Sequence, residues 1–132
     1  DGTVLIEDVY NSTPASMGAA LDFLARSSRR PRVGVFGEMW DLGDASEHWH
    51  LHVGRQITRD HLETLLAVGP KAKNFADGAL HAARPPAETH HFETTGEALQ
   101  WLRTNRKPGG LLLVKGSRGM QMETISEGLK NG

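Results

Sequence analysis

The residues best suited to chemistry lie in the loop 115–119, directly after an apolar run of strand length. Lys115 and Arg118 supply positive charge, and the planar guanidinium of Arg118 can bind a carboxylate through two parallel hydrogen bonds. Ser117 adds a hydroxyl group, and Gly116 lets the backbone approach a ligand closely. In α/β proteins such loops present anion-binding groups at the carboxyl end of a buried strand. The loop therefore predicts a carboxylate or phosphate site, while a solvated strand-to-helix connection remains the alternative.

Two further polar loops, 7–14 and 37–43, each follow an apolar run in the same way. In the first of them, Asp8, Tyr10 and Asn11 supply a carboxylate, a phenol and an amide. Because the carboxyl ends of parallel strands lie at one edge of a sheet, we expect all three loops to converge there. This combination suits a polar ligand that carries both hydroxyl and anionic groups. Asp8 and Asn11 also have a structural alternative, since both residue types commonly turn the chain and cap a following helix.

Composition limits the classes of function open to the chain. Its 132 residues, 38% hydrophobic and 23% charged, are ordinary for one globular domain with a sizeable core. A net charge of −1 argues against nucleic-acid binding, which needs a concentrated basic footprint. The lack of cysteine excludes disulfides and thiolate metal sites, and no apolar stretch approaches the roughly 20 residues of a membrane span. No signal peptide is visible and the chain opens with Asp1, so we expect a piece of a longer polypeptide with a cytoplasmic location.

The elements that position these loops can be predicted from the apolar pattern. Short apolar runs predict strands at 3–6, 32–36, 64–68, 89–92 and 111–114. The segments between and after them have helical spacing of apolar residues, namely Met17, Ala20, Leu21 and Leu24; Leu51, Val53, Ile57 and Leu62; Phe75, Ala79 and Ala82; Ala98, Leu99 and Leu102; and Ile125 and Leu129. Strands that alternate with helices indicate βαβ units. We therefore predict a three-layer α/β domain with a mainly parallel sheet of about five or six strands and helices on both faces.

Polar residues at the predicted helix starts agree with this pattern. Thr13 followed by Pro14 is a helix N-cap with proline in the first turn. The segment 44–47 fits a capping box, and a threonine at 94 or 95 precedes Glu97 in the same way. The segment 120–123 is predicted to open the final helix, whose N-terminal dipole favours an anion at the preceding loop.

Four motifs in the three loops and beyond them resemble one known family. The segment 8–17 reads D-V-Y-N-S-T-P-A-S-M and resembles the D-x-Y-N-A-N-P-x-S-M signature of Mur ligases that add D-alanyl-D-alanine. The segment 37–43 resembles their G-x-M-x-x-L-G turn, and His50 matches the histidine a few residues beyond it. The segment 115–123 is similar to the K-G-S-R-x-x-x-M-E ending. These matches occur in the family's order and span nearly the whole chain.

The resemblance implies that residues 1–132 form a single Rossmann-like domain, the C-terminal domain of a multidomain ligase. In that family a central domain binds ATP and magnesium and activates UDP-N-acetylmuramoyl-tripeptide as an acyl phosphate. The C-terminal domain closes over it and helps present the amino group of D-Ala-D-Ala for amide formation. The chain has no G-x-x-x-x-G-K-[ST] motif, so we expect it to be inactive alone. Its expected partners are these two substrates and the N-terminal and central domains, with no nucleic acid and no membrane.

The resemblance also implies roles for individual residues. The cofactor-binding residues on the nucleotide side are Asp8, Tyr10 and Asn11, with Asp8 placed to accept hydrogen bonds from ribose hydroxyls. No general base on this domain is required, so we predict no catalytic residue. The predicted substrate-binding residues are Lys115, Gly116, Ser117, Arg118 and His50. His50 has a structural alternative, which is a hydrogen bond inside the domain that fixes the neighbouring turn.

The chain departs from the family pattern at four positions, the mildest being Glu7 in place of a common aspartate. Thr13 stands where the family has a second asparagine; it can cap the helix but does not offer an amide. Ser12 replaces an alanine, and Trp40 is bulkier than expected and is predicted to pack on a neighbouring domain or cover the site. These departures leave two alternatives open: a stand-alone module that binds a nucleotide or anion, or a ligase domain of the same type with another amino-acid substrate.

Two other features favour structural interpretations. His48 and His52 have the i, i+4 spacing that can bind zinc on a helix, but no clear third ligand follows, so we predict no metal site. The basic run 26–32 is predicted to be a helix end and a loop, where cations complement the helix C-terminus.

Overall fold

Five parallel strands form one sheet in the computed structural model, which describes residues 1–131. They are β1 (Val4–Asp8), β2 (Arg32–Gly37), β3 (Thr64–Val68), β4 (Glu88–Phe92) and β5 (Leu111–Lys115). Their order across the sheet is β1-β5-β2-β3-β4, so the last strand lies between the first two. Lys115 is in register with Asp8 on one side and with Phe36 on the other. The three polar loops therefore leave the sheet at neighbouring positions, as the sequence predicts.

Five helices cover both faces of the sheet and confirm the three-layer prediction. One core cluster joins α1 (Pro14–Arg26), α2 (Ser46–Gln56) and α3 (Lys73–Leu80) to the sheet. The opposite cluster includes apolar residues of α4 (Thr95–Asn105) and α5 (Glu123–Asn131). The inner strand β5 is buried along its whole length because both faces are covered. That burial explains why parallel strands of this kind read as continuous apolar runs.

Two of the predicted helix starts are confirmed as capping boxes. The Thr13 hydroxyl accepts a hydrogen bond from the Ser16 backbone N–H, and the Ser16 side chain accepts one from the Thr13 N–H. Thr94 and Glu97 exchange the same pair of bonds at the start of α4. Each cap of this kind contributes on the order of 1 kcal/mol, because it satisfies amide groups that the first turn leaves without partners.

The capping box predicted for α2 is wrong, and the final helix begins at the end of its predicted opening segment. A short 3₁₀ turn occupies Gly43–Ala45, and α2 begins at Ser46 without a side-chain cap, so the predicted capping box at 44–47 does not form. The final helix begins at Glu123, the last residue of the segment 120–123 that is predicted to open it. Gln121 has a φ of 58°, a left-handed conformation that interrupts any right-handed helix at that point.

The basic run 26–32 has a more specific role than a solvated loop. Arg32 begins β2 and is buried, and its guanidinium forms an ion pair of 2.7 Å with Glu63. The same guanidinium donates hydrogen bonds to the backbone carbonyls of Leu24, Arg59 and Asp60. It thereby binds the end of α1, as predicted for cations there, and also connects that helix to the segment before β3.

Candidate functional site

A half-buried ion pair joins the ends of β1 and β5 at the centre of the predicted site. The Lys115 ammonium donates to Asp8 Oδ2 at 2.7 Å and to the backbone carbonyl of Asn11 at 2.9 Å. The Lys115 side chain is 1% exposed, whereas the Asp8 side chain is 47% exposed. Lys115 therefore lies behind the loop 9–13 and holds it against the sheet, and only the Asp8 carboxylate faces solvent.

The loop after β2 is bonded to the loop after β5 through backbone groups. The Ser117 N–H donates to the Glu38 carbonyl at 3.1 Å, and the Trp40 N–H donates to Ser117 Oγ at 2.8 Å. Ser117 is buried, and its hydroxyl oxygen already accepts one bond while its hydrogen stays available as a donor. Gly116 donates its N–H to the Asp8 carbonyl at 3.2 Å, which ties the third loop to the first.

The histidine at position 50 lies inside the domain. Its Nδ1 lies 2.7 Å from the Ser46 carbonyl, and its Nε2 accepts a hydrogen bond of 3.0 Å from the Met39 N–H. These bonds require the neutral ring with its proton on Nδ1. Burial lowers the pKa of His50 below its ordinary value of 6.5, which favours the same neutral form. The geometry matches the structural alternative for His50, a bond that fixes the neighbouring turn.

A surface cleft of about 530 Å³ contains the most exposed of the predicted site residues. Arg118 and Tyr10 line it, and Tyr10 is 75% exposed. Glu7, Glu123 and Glu127 also line the cleft, and the Lys130 ammonium pairs with the Glu7 carboxylate at 3.5 Å, so two cations lie among three carboxylates. The charge of this surface suits a ligand with both an anionic and a cationic group better than a highly charged phosphate.

The structure thus brings most of the predicted residues together, in two layers. Asp8, Asn11 and Lys115 form a bonded cluster in which Lys115 is buried and the other two residues are exposed, with Ser117 joined to the same edge through the loop after β2. Tyr10 and Arg118 lie at the surface, and His50 and Gly116 are buried. A side chain at Gly116 would meet Met122, because an added Cβ would lie 2.7 Å from its Cγ.

One residue of the site was missed by reasoning from sequence, namely Glu38. Its carboxylate is only 6% exposed and accepts hydrogen bonds from Trp40 Nε1 at 2.9 Å and from the Lys71 N–H at 2.7 Å. A signal was available, since Glu38 is the acidic residue that directly follows the buried strand β2. The sequence did not indicate that this carboxylate turns inward.

The described residues were also compared with the requirements of a metal site and of a membrane-spanning helix. No group of three or more His, Asp or Glu side chains within residues 1–131 is placed to hold a metal ion. His48 and His52 stack with their ring centroids 6.0 Å apart. In the same range, no helix has the length and apolar character needed to cross a bilayer.

A parallel sheet with helices on both faces and polar loops at its carboxyl edge defines a Rossmann-like, ligand-binding type of domain. The sequence profile described as "Mur ligase, glutamate ligase domain" matches residues 1–118 of the chain. The chain therefore belongs to the Mur ligase family, and it corresponds to the C-terminal domain of these ligases.

Individual relatives agree with this assignment. The chain is 33% identical over 129 residues to the UDP-N-acetylmuramoyl-tripeptide–D-alanyl-D-alanine ligase of Bacillus subtilis, covering 97% of this chain and 28% of that enzyme. It is 32% identical to the enzyme of the same name from Synechocystis, covering 92% of this chain and 26% of the relative. A crystal structure of MurF from Acinetobacter baumannii matches with a TM-score of 0.83 and 33% identity, covering 98% of this chain and 28% of that one. The chain thus spans little more than a quarter of the relatives it matches.

Proposed function

We propose that this chain is the C-terminal domain of an ATP-dependent ligase that joins D-Ala-D-Ala to UDP-N-acetylmuramoyl-tripeptide through an amide bond. The observation that carries the proposal is the sequence identity of at least 32% to two ligases of that name. This identity extends over more than nine-tenths of the chain. Because the chain spans only 28% and 26% of these relatives, the N-terminal and central domains of the ligase belong to the proposal as partners. A reaction that uses ATP and a UDP-linked substrate takes place where nucleotides are available, so the proposal includes a cytoplasmic location.

Arg118 and Ser117 are the residues proposed to contact the dipeptide. The exposed guanidinium of Arg118 can bind the dipeptide carboxylate in a bidentate manner. The Ser117 hydroxyl, which accepts from the Trp40 N–H, can donate its hydrogen to the same carboxylate. The nearby carboxylates of Glu123 and Glu127 fit the ammonium end of a zwitterionic dipeptide. Orientation of two reactants in this way can lower a barrier by roughly 7–11 kcal/mol in favourable cases.

Lys115, Gly116 and His50 support this contact from inside the domain in our proposal. Lys115 holds Asp8 and Asn11 in place, and Gly116 allows the close packing of its loop against Met122. His50 fixes the turn after β2 through the Met39 N–H. These residues thus act on the substrate through the loops that they position.

Asp8, Tyr10 and Asn11 are proposed to meet the nucleotide. The Asp8 carboxylate fits a ribose hydroxyl, because Lys115 bonds to Oδ2 and the side chain is about half exposed. These residues suit the uncharged part of ATP better than its phosphates, since the nearest ammonium, that of Lys115, is buried and engaged. When bound, ATP supplies the phosphoryl group that activates the tripeptide carboxyl. Magnesium and the triphosphate are assigned to the central domain in this proposal.

The test is a kinetic comparison of variants in the full-length ligase. Arg118→Ala is expected to lower kcat/KM for D-Ala-D-Ala about 10- to 100-fold, because a charge-assisted hydrogen-bonded pair contributes about 1.5–3 kcal/mol. Arg118→Lys keeps the charge without the planar fork and is expected to recover only part of the loss. The matched control is Arg55→Ala, which removes an exposed arginine of α2. Unchanged kinetics in both Arg118 variants would contradict the site, and turnover of another amino acid instead of D-Ala-D-Ala would contradict the substrate.

A further inference from the structure

We propose that Glu38 is a positioning residue that acts through Trp40 on the loop 117–119 and thereby sets the orientation of Arg118. The inference rests on the proposed function only in taking Arg118 as a substrate contact. The strands β2 and β5 are neighbours in the sheet. Glu38 and Trp40 lie in the loop after β2, and residues 117–119 lie in the loop after β5. The contacts between them give the argument.

Glu38 is a buried carboxylate whose two oxygens are both used. Oε1 accepts a hydrogen bond from Trp40 Nε1 at 2.9 Å, and Oε2 accepts one from the Lys71 N–H at 2.7 Å. Throughout the described range 1–131, Glu38 forms no ion pair with an arginine or lysine side chain. A buried carboxylate without a cation is costly, so the two N–H donors are what keeps it there.

The Glu38 side chain is held by the segment between β3 and α3. Lys71 lies two residues before the start of α3, and the backbone at Gly69 packs directly on the Glu38 side chain. A Cβ added to Gly69 would lie 2.8 Å from Glu38 Oε2, and Gly69 has a φ of +107°. The carboxylate is therefore held by the connection between β3 and α3, not by the loop that it orients.

The Trp40 end of this arrangement reaches the residues on both sides of Arg118. The Trp40 N–H donates to Ser117 Oγ at 2.8 Å. The Trp40 ring lies against Gly119, where an added Cβ would be 2.7 Å from Cζ3 and where φ is +97°. Trp40 thus contacts residues 117 and 119, while the Arg118 side chain between them is exposed. The hydrogen bond that the Trp40 indole donates to Glu38 fixes the position of the ring. The ring in turn limits the conformations open to the backbone at Gly119.

The chain of contacts from Glu38 through Trp40 to residues 117–119 is called the relay below. Two variants of the full-length ligase test it. Glu38→Gln presents one oxygen and one NH₂ group, so it satisfies only one of its two N–H donors. Trp40→Phe keeps an aromatic ring over Gly119 but lacks the indole N–H. Each variant is expected to raise KM for D-Ala-D-Ala about five- to tenfold, as for one lost hydrogen bond, with KM for ATP unchanged. The double variant is expected to be no worse than the more impaired single variant, because Glu38 acts on the loop only through the indole N–H that Trp40→Phe removes.

The matched control is Glu93→Gln, an exposed glutamate that follows β4 at the far end of the same sheet edge. An additive double variant, or an equal rise in KM for every substrate, would overturn the relay and indicate general loss of structure. If Glu38→Gln does not fold, Trp40→Phe alone decides by the same KM comparison. If the unchanged enzyme does not use D-Ala-D-Ala, the proposed function fails, and amide NMR signals of Arg118 and Gly119 then decide the relay. Shifts in those signals in Glu38→Gln, which leaves the Trp40 ring in place, would support it, and unchanged signals would overturn it.

Discussion

Removal of the Asp8 carboxylate is the perturbation whose cost follows most directly from the structure. In Asp8→Ala the Lys115 ammonium loses its partner at 2.7 Å and keeps the Asn11 carbonyl at 2.9 Å. The ammonium stays buried, since the Lys115 side chain is 1% exposed. A charge that remains buried with fewer partners destabilises the folded state.

The loss of unfolding free energy in Asp8→Ala lies between two limits. Breaking a fully buried ion pair costs about 3–5 kcal/mol, and an exposed pair contributes about 0.2–1 kcal/mol. The Asp8 side chain is 47% exposed, so water can occupy part of the space that its carboxylate leaves. We therefore expect Asp8→Ala to lower the free energy of unfolding by about 2 kcal/mol, well below the fully buried limit.

Urea unfolding followed by far-UV circular dichroism measures this change, with Asp22→Ala as the control. Asp22 is an exposed aspartate of α1, where alanine is expected to change stability by less than about 0.5 kcal/mol. In a second comparison, Lys115→Met removes the buried charge but keeps an unbranched side chain of similar volume. Adding Lys115→Met to Asp8→Ala is expected to restore most of the lost stability. Equal free energies of unfolding for Asp8→Ala and Asp22→Ala would refute this account of the ion pair.

Three further predictions concern stability. Ser12→Ala is expected to stabilise the protein by about 1 kcal/mol in thermal unfolding, because the Ser12 hydroxyl is buried without a partner in the described structure. The contrasting control Ser16→Ala removes a capping bond and is expected to destabilise by a similar amount; a loss of stability in Ser12→Ala would contradict the first expectation. Burial lowers the pKa of His50 below 6.5, so the unfolded chain binds a proton first on acidification, and stability present above pH 6.5 declines below it. His50→Gln is expected to lose less stability than the unchanged protein between about pH 7.5 and 5.5, and an identical loss in the two would refute this; burial also lowers the pKa of His61, which retains part of the effect. Gly119→Ala is expected to cost about 1–3 kcal/mol in urea, since the new Cβ meets Trp40 at a φ of +97°, whereas Gly96→Ala in α4 is expected to be tolerated.

The elements that could be predicted from sequence are those with a continuous local signal. Leu111–Lys115 is buried on both faces, so its apolar run identified it as a strand. Glu88–Phe92 is an edge strand with two histidines, and its signal was correspondingly weak. The start of α2 was mispredicted, because the polar residues at 44–47 fit a cap while the backbone forms a 3₁₀ turn after the positive φ of Gly43. The residue types at 44–47 fit both backbone conformations, so the pattern alone did not distinguish them.

The candidate site was predictable in its location but not in its internal contacts. Parallel topology alone places Asp8 and Lys115 at one sheet edge. That the ammonium turns inward to Asp8 depends on the register of β1 with β5, a pairing across 107 residues that no local pattern encodes. The inward carboxylate of Glu38 was missed for the same reason, since its donors come from Trp40 and from Lys71 in another loop. The substrate contacts assigned to Arg118 and Ser117 remain predictions.

The position of β5 between β1 and β2 has a consequence for how the chain folds. Strands β1 and β2 do not pair with each other, and each obtains its shared neighbour from a segment about 75 to 110 residues further along the chain. Such pairing gives a high contact order and slow folding. While the chain is synthesised, β1 and the inner edge of β2 have unpaired backbone groups until β5 emerges, which makes them prone to wrong pairing. The edge of the sheet that carries the candidate site is therefore assembled in the same late event that completes the sheet.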